Sequence, residues 1–149
     1  MNHFKSRKLT VLEANIDDMN PEWYEPLMER LFEAGALDVT LIPAVMKKSR
    51  PAVVLQVLTK PALQQKLLEI IFEESTTLGV RSTPVTRFEL KREFKKVKTR
   101  YGVVTVKIGR DASGRVLNVS PEFESCRELA AKKKVPLKRI YAAALTVFA

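Results

Sequence analysis

Leu9-Thr10-Val11-Leu12-Glu13-Ala14-Asn15-Ile16-Asp17-Asp18, followed at once by Met19-Asn20-Pro21-Glu22, decides how the first half of this chain is read. Residues 9–18 have the character of a strand running into an acidic turn. Asn20 then offers a helix N-cap, Pro21 the first helical position, and Glu22 a carboxylate facing the positive end of the helix dipole. The helix predicted there runs to Gly35, with Trp23, Leu27, Leu31 and Ala34 on one stripe beside Met28 and Phe32, and Gly35 supplies its stop.

Working outward, residues 37–46 and 52–59 are two apolar strand-like runs joined by Lys47-Lys48-Ser49-Arg50-Pro51, a hairpin with a basic loop. Pro61 opens a second helix carrying Leu63, Leu67, Ile70 and Ile71, and Gly79 is expected to provide the turn into a fourth strand from Val80 to about Leu90. The order β-α-β-β-α-β is the ferredoxin-like split motif, so the chain is expected to be α+β. Past residue 90, residues 95–99 and 103–108 flank Arg100-Tyr101-Gly102 as a second, basic hairpin. Asp111-Ala112-Ser113-Gly114 reads as a turn, and Ser120-Pro121-Glu122 repeats the cap, proline and acid of residues 20–22. A helix to about Lys134, a break at Val135-Pro136 and a last helix through Ile140, Tyr141, Ala144 and Phe148 complete the chain. Two subdomains are expected, residues 9–90 ferredoxin-like and residues 91–149 a β-hairpin with two helices.

Composition narrows the chemistry. The 149 residues are 46% hydrophobic and 29% charged, enough to bury a core, which excludes wholesale disorder. No apolar run approaches the ~18 residues of a membrane span, and the basic start leads into no apolar signal region, so neither a membrane segment nor a signal peptide is expected. A single cysteine, Cys126, and a single histidine, His3, exclude disulfide frameworks, the usual zinc constellations and a Ser-His-Asp triad. The expected compartment is the reducing cytoplasm, with chemistry left to carboxylates, lysines and arginines. Net charge is +9 overall, but −2 over residues 1–75 and +11 over residues 76–149. A half that basic attracts polyanions such as nucleic acid, an acidic membrane surface or nucleotide phosphates; a well-solvated surface is the plainer alternative.

Four constellations stand out. Glu13, Asn15 and Asp17 share a strand face, and with Asp18 they offer hard oxygen donors of the kind Mg²⁺ or Mn²⁺ takes; an Asx-turn at the helix start is the plainer account of Asp17 and Asp18. Lys47, Lys48 and Arg50 form a basic hairpin tip, suited to phosphates or simply solvated. Arg81 and Arg87 fall on one strand face, as an anion-binding row or the polar side of an edge strand. Glu122 and Glu124 lie in a helix's first turn, where capping accounts for them, and Cys126 is expected to be a buried structural thiol. An RNA-recognition sheet needs stacking aromatics, and Tyr101-Gly102-Val103-Val104-Thr105-Val106 supplies only one.

Residues 13–22, Leu31-Phe32-Glu33-Ala34-Gly35-Ala36-Leu37-Asp38-Val39, residues 46–51, Thr76-Thr77-Leu78-Gly79-Val80-Arg81 and Pro121-Glu122-Phe123-Glu124-Ser125-Cys126 together resemble one family. It is the nickel insertion protein of nickel-pincer nucleotide cofactor synthesis (LarC type), in its C-terminal domain. The resemblance implies a cytoplasmic CTP-dependent cyclometallase that installs nickel in pyridinium-3,5-bisthiocarboxylic acid mononucleotide, the cofactor precursor of lactate racemase, after cytidylyl activation. It implies CTP with Mn²⁺ or Mg²⁺ in this domain, Asp17, Asp18 and Glu13 as metal ligands, and Asp17, Asp18 and Lys48 as catalytic groups. Lys47, Lys48, Arg50, Arg81, Arg87 and Lys107 become phosphate-binding candidates, with Glu122 and Glu124 as neighbours. Nickel is the substrate ion; with His3 and Cys126 as the only strong soft donors, the resemblance assigns it to an N-terminal part of the same protein or to a separate chain, and it implies a homo-oligomer. Ser49 stands where the family often has Asn, and Ala52 where Gly is usual. The competing expectations are a non-catalytic nucleotide-sensing or assembly module and, behind it, a basic nucleic-acid-binding domain.

Overall fold

A computed structural model describes residues 4–148, so His3 lies outside the described residues. The chain divides into two compact units, Arg7–Arg87 and the part from Phe88 onward, with the segment ahead of Arg7 grouped with the latter. The division falls inside the fourth strand rather than after it.

In the first unit, β1 (Lys5–Ile16), β2 (Asp38–Met46), β3 (Arg50–Thr59) and β4 (Arg81–Glu89) form one sheet in the order β2-β3-β1-β4, and α1 (Tyr24–Glu33) and α2 (Gln64–Glu74) fill the two crossovers. That order is the ferredoxin-like one. β1 is antiparallel to β3, with Glu13 opposite Gln56 and Ala14 opposite Leu55. Alternation sends Leu12, Ala14, Ile16, Leu55 and Val57 to one face, where they are buried with Leu27, Leu31, Leu67, Ile70 and Ile71 of the helices. The opposite alternates, Glu13, Asn15 and Gln56, stay on the other face.

The start at Asn20 is as expected: its side chain accepts a bond from the Glu22 amide at 3.1 Å. Pro21–Trp23 forms a 3₁₀ turn before α1, however, and this rotates Trp23 out of the expected buried stripe to 50% exposure, with Tyr24 taking the inward place. At the other end Gly35 adopts φ +102°, the Gly35 amide donates to the Phe32 carbonyl and the Ala36 amide to the Leu31 carbonyl, both at 3.0 Å. This is a Schellman ending, and an added Cβ would meet Leu63 Cδ1 at 2.9 Å.

The second unit departs from the expected hairpin. β5 (Lys91–Thr99), β6 (Gly102–Arg110) and β7 (Val116–Pro121) make a three-stranded sheet, followed by α3 (Phe123–Lys133) and α4 (Leu137–Leu145). The third strand exists because Asp111 folds the chain back: its carboxylate accepts from the Ser113 amide and hydroxyl and from the Arg115 amide. The Ser113 hydroxyl first, and then the two amides and the Arg115 charge, hold Asp111 below the usual carboxylate range against the opposing effect of burial. Ser120-Pro121-Glu122 is therefore not a second copy of the helix start. Ser120 and Pro121 pair with Lys107 and Val106, and Glu122 takes the cap position. Proline is tolerated there because β7 is an edge strand that ends at it. The core is Val97, Val104, Val106, Ile108, Cys126, Ala130, Ile140 and Ala144. Among the described residues no helix is long and apolar enough to cross a membrane.

Candidate functional site

At one end of the four-stranded sheet three connections meet: the exit of β1, the β2–β3 turn and the α2–β4 loop. Asp17 and Asp18 follow the last residue of β1. Arg50, the first residue of β3, donates from Nη1 to Asp17 Oδ2 at 3.2 Å, and the Thr76 hydroxyl from the α2–β4 loop donates to Asp18 Oδ1 at 2.6 Å. These two bonds tie the acidic turn to the other two connections.

The turn itself is made of unfavourable backbone. Lys48 and Ser49 have φ of 61° and 55°, two consecutive side-chain-bearing residues in the left-handed region. Each such residue costs on the order of 1–2 kcal/mol unless its side chain relieves the strain, which Asn does better than Ser or Lys. Strain of this sort persists where a function requires the shape. Lys47 and Lys48 are exposed, and among the described residues neither is in an ion pair.

On the sheet face opposite the helices, next to this end, Arg81 donates from Nε (3.1 Å) and Nη2 (2.5 Å) to Glu13 Oε1 and from Nη2 to Asn15 Oδ1 (2.7 Å). Gln56 Nε2 donates to the other Glu13 oxygen at 2.6 Å. The Gln56 bond first, and the Arg81 bonds after it, hold the Glu13 carboxyl below its ordinary range. Sequence reading did not find Gln56, because only the register that sets it opposite Glu13 brings it to the site.

The structure thus gathers Glu13, Asp17, Asp18, Lys47, Lys48, Arg50 and Arg81 in the first unit, but not as a three-carboxylate cage. Among the described residues no three Asp, Glu, His or Cys side chains stand close enough to share a metal ion. Glu13 has both oxygens committed, while Asp17 and Asp18 each use one oxygen in the bonds to Arg50 and Thr76. Two carboxylates with free oxygens fit Mg²⁺ or Mn²⁺, hard ions that keep several waters and bridge to phosphates. Arg87 shares the strand of Arg81, six residues on, as expected. Lys107, Glu122 and Glu124 belong to the second unit: Lys107 pairs with Glu122 at 3.8 Å and Glu124 with Arg127 at 2.6 Å. Cys126 is fully buried, and burial, then the Glu122 charge, push its thiol upward, which makes it a poor nucleophile. Gly79 is not required by its turn. Its φ lies outside the left-handed region and an added Cβ would meet nothing within 4 Å; Thr77 shapes the loop instead, its hydroxyl donating to the Gly79 carbonyl at 3.0 Å.

A family model described as nickel insertion protein matches residues 1–141. The pyridinium-3,5-bisthiocarboxylic acid mononucleotide nickel insertion protein of Clostridium kluyveri is 47% identical over 131 residues, covering 88% of this chain and 33% of its own. Its counterpart in Acetivibrio thermocellus is 48% identical over 134 residues, covering 90% of this chain and 32% of its own. The chain therefore spans about a third of the length of the curated relatives it matches. Among solved structures, the apo form of LarC2, described as the C-terminal domain of a cyclometallase involved in synthesis of the NPN cofactor of lactate racemase, superposes with a TM-score of 0.89. It is 36% identical, and the match covers 95% of this chain and 97% of that one.

Proposed function

The chain belongs to the nickel insertion protein family, and from that premise we propose that its first unit binds CTP with Mg²⁺ or Mn²⁺ in a protein that inserts nickel into pyridinium-3,5-bisthiocarboxylic acid mononucleotide. The observation that carries this reading is the meeting of Asp17, Asp18, Arg50 and the Lys47-Lys48 turn at one end of the sheet, tied by the Arg50–Asp17 bond.

The pairing sets the chemistry. In the free site the Arg50 and Arg81 charges are answered by Asp17 and Glu13. An incoming triphosphate competes for the arginines, which hold phosphate oxygens through their forks, while Lys47 and Lys48 add unpaired positive charge at the turn. A divalent ion, when bound by Asp17 and Asp18, neutralises phosphate charge. Metal and nucleotide then exchange partners with the existing pairs, and each makes the binding of the other cheaper.

In the proposed activation step, an oxygen of the substrate's own phosphate attacks the α-phosphorus of CTP. The bond from that phosphorus to the oxygen bridging the β-phosphate breaks, and pyrophosphate leaves with the electron pair, held by Lys47, Lys48 and Arg50. The attacking oxygen is already anionic, so no histidine base is needed. Nickel is the substrate ion, and its donors are assigned to an N-terminal part of the protein or to a separate chain. A homo-oligomer and a cytoplasmic location are parts of the same proposal.

Calorimetric titration of CTP with Mn²⁺, with EDTA, and with ATP as the control tests it. Tight, metal-dependent binding that prefers CTP is expected. Asp17→Asn is expected to lose on the order of tenfold or more in the metal-dependent affinity, since it removes a charged ligand. Parent-like binding by Asp17→Asn would remove the aspartate from the site.

A further inference from the structure

A cavity lies wholly within the unit that starts at Phe88. It is open, about 390 Å³, and lined on one side by Lys98 and Arg100 at the end of β5, and on the other by Ala142, Ala143 and Val147 around the end of α4. It shares no residue with the sheet-end site, and its α4 side follows residue 141, the last that the family model matches.

Its polar groups divide into spent and free. Two threonines complete the lining, and both are satisfied internally: the Thr99 hydroxyl donates to the Gly102 carbonyl and the Thr146 hydroxyl to the Ala142 carbonyl, each at 2.9 Å. Among the described residues no carboxylate pairs with Lys98 or Arg100. Arg100 is also held in place, its guanidinium carbon 4.8 Å over the Tyr101 ring centroid. That contact restrains the fork, whose N–H groups suit an oxyanion. The last turn of α4 contains no basic residue, so its carbonyl end adds roughly half a negative charge to the surroundings. Two full cations outweigh that, and the cavity is left net positive.

Small side chains set the rest of the specificity. Ala142, Ala143 and Val147 give the cavity an apolar floor beside the cations. A bare inorganic anion would use the cations and leave the floor uncovered. We propose that this cavity binds a phosphomonoester dianion carried on a flat apolar or aromatic body, with the phosphate on Arg100 and Lys98 and the body on the alanine floor. Two cations favour a dianion over a carboxylate, which brings one charge.

The test uses the whole chain, labelled for nuclear magnetic resonance, titrated with phenyl phosphate, inorganic phosphate and benzoate. Phenyl phosphate is expected to bind saturably, shift the amides of residues 98–101 and 142–147, and bind about tenfold tighter than either other probe. Arg100→Gln is expected to weaken it by about tenfold, the value of a bidentate charged contact. Ala143→Leu, which fills the floor and keeps both cations, is expected to abolish the preference for phenyl phosphate while inorganic phosphate loses much less. Equal affinity for phenyl and inorganic phosphate, or phenyl phosphate binding indifferent to Ala143→Leu, overturns the proposal. Benzoate binding as tightly as phenyl phosphate overturns the assignment to a phosphate. The unchanged amide spectrum of each variant away from the cavity separates a lost contact from a lost fold.

Discussion

In the unit Arg7–Arg87 ten basic residues face eleven acidic ones, and at the end of its sheet Arg50 is held by Asp17 and Arg81 by Glu13. From Phe88 onward fifteen face six, and the cations Lys98 and Arg100 stand beside a cavity with no carboxylate to answer them. Net charge alone points to the second region as the place for anions. The structure shows two different kinds of place. Where opposite charges are paired, a ligand must exchange partners, and the ligand proposed there is itself a pair, an anion with a divalent cation. Where cations are unpaired, a lone anion suffices. A near-zero local charge thus conceals the residues proposed to take a metal nucleotide.

The largest effects expected test whether the two units are built as equals. Leu27 in the first core and Ile140 in the second are both fully buried. Leu27→Ala and Ile140→Ala should each cost about 2–5 kcal/mol in urea unfolding followed by circular dichroism, the usual cost of emptying a packed site. A cost below about 1 kcal/mol at either position would show that core to be poorly packed and end the symmetry between the units.

Pair exchange is the next claim to break. Glu13→Gln frees Arg81 without removing it, so binding of CTP in EDTA should tighten about fivefold while the gain from adding Mn²⁺ shrinks. Glu122→Gln, releasing Lys107 from a half-exposed pair in the second unit, should change either value by less than about twofold. Equal effects of the two changes would erase the distinction drawn between the regions.

Acid titration sharpens the same contrast. Glu13 is held below its ordinary value by Gln56 and then Arg81, so its contribution to stability is present above the ordinary carboxylate range. It is lost as pH falls through the lowered folded value. The urea midpoints of the parent and Glu13→Gln should therefore differ at pH 7 and converge in strong acid, the difference at neutrality being within the roughly 1 kcal/mol of a partly exposed pair. A difference that persists in acid would show that the charge of Glu13 is not what stabilises the parent.

The smallest effect compares two helix ends. α1 and α3 both stop on a left-handed residue, Gly35 in the first unit and Lys134, at φ 52°, in the second. At α3 the Val135 amide donates to the Ala130 carbonyl at 3.0 Å, the same closing bond as at α1. Lys134→Gly should raise thermal stability by up to about 1 kcal/mol, because lysine pays for its Cβ where glycine does not. Destabilisation would mean that the side chain of Lys134 does more than end the helix.

Much of this was legible in advance where the signal was local. The caps at Asn20 and Gly35, the basic turn and the alternation of the first four strands are written in adjacent residues, and they yield the ferredoxin-like order. β7 was missed because Val116-Leu117-Asn118-Val119-Ser120 alone is no strand signal; the Asp111 turn and the open edge of β6 make it one. The acidic cluster was legible as a cluster, but its division was not. Whether Glu13 stays with Asp17 and Asp18 or turns to Arg81 and Gln56 depends on partners 43 and 68 residues away.

Sequence by itself determined the class of the fold and the end of the sheet at which the carboxylates lie, because propensity and periodicity act over a few residues. Tertiary structure alone decided which charges are spent on each other and which are left for a ligand. Coulomb and hydrogen-bond energies depend on distances of a few ångströms, and strand register and helix docking set those distances between residues remote in the chain.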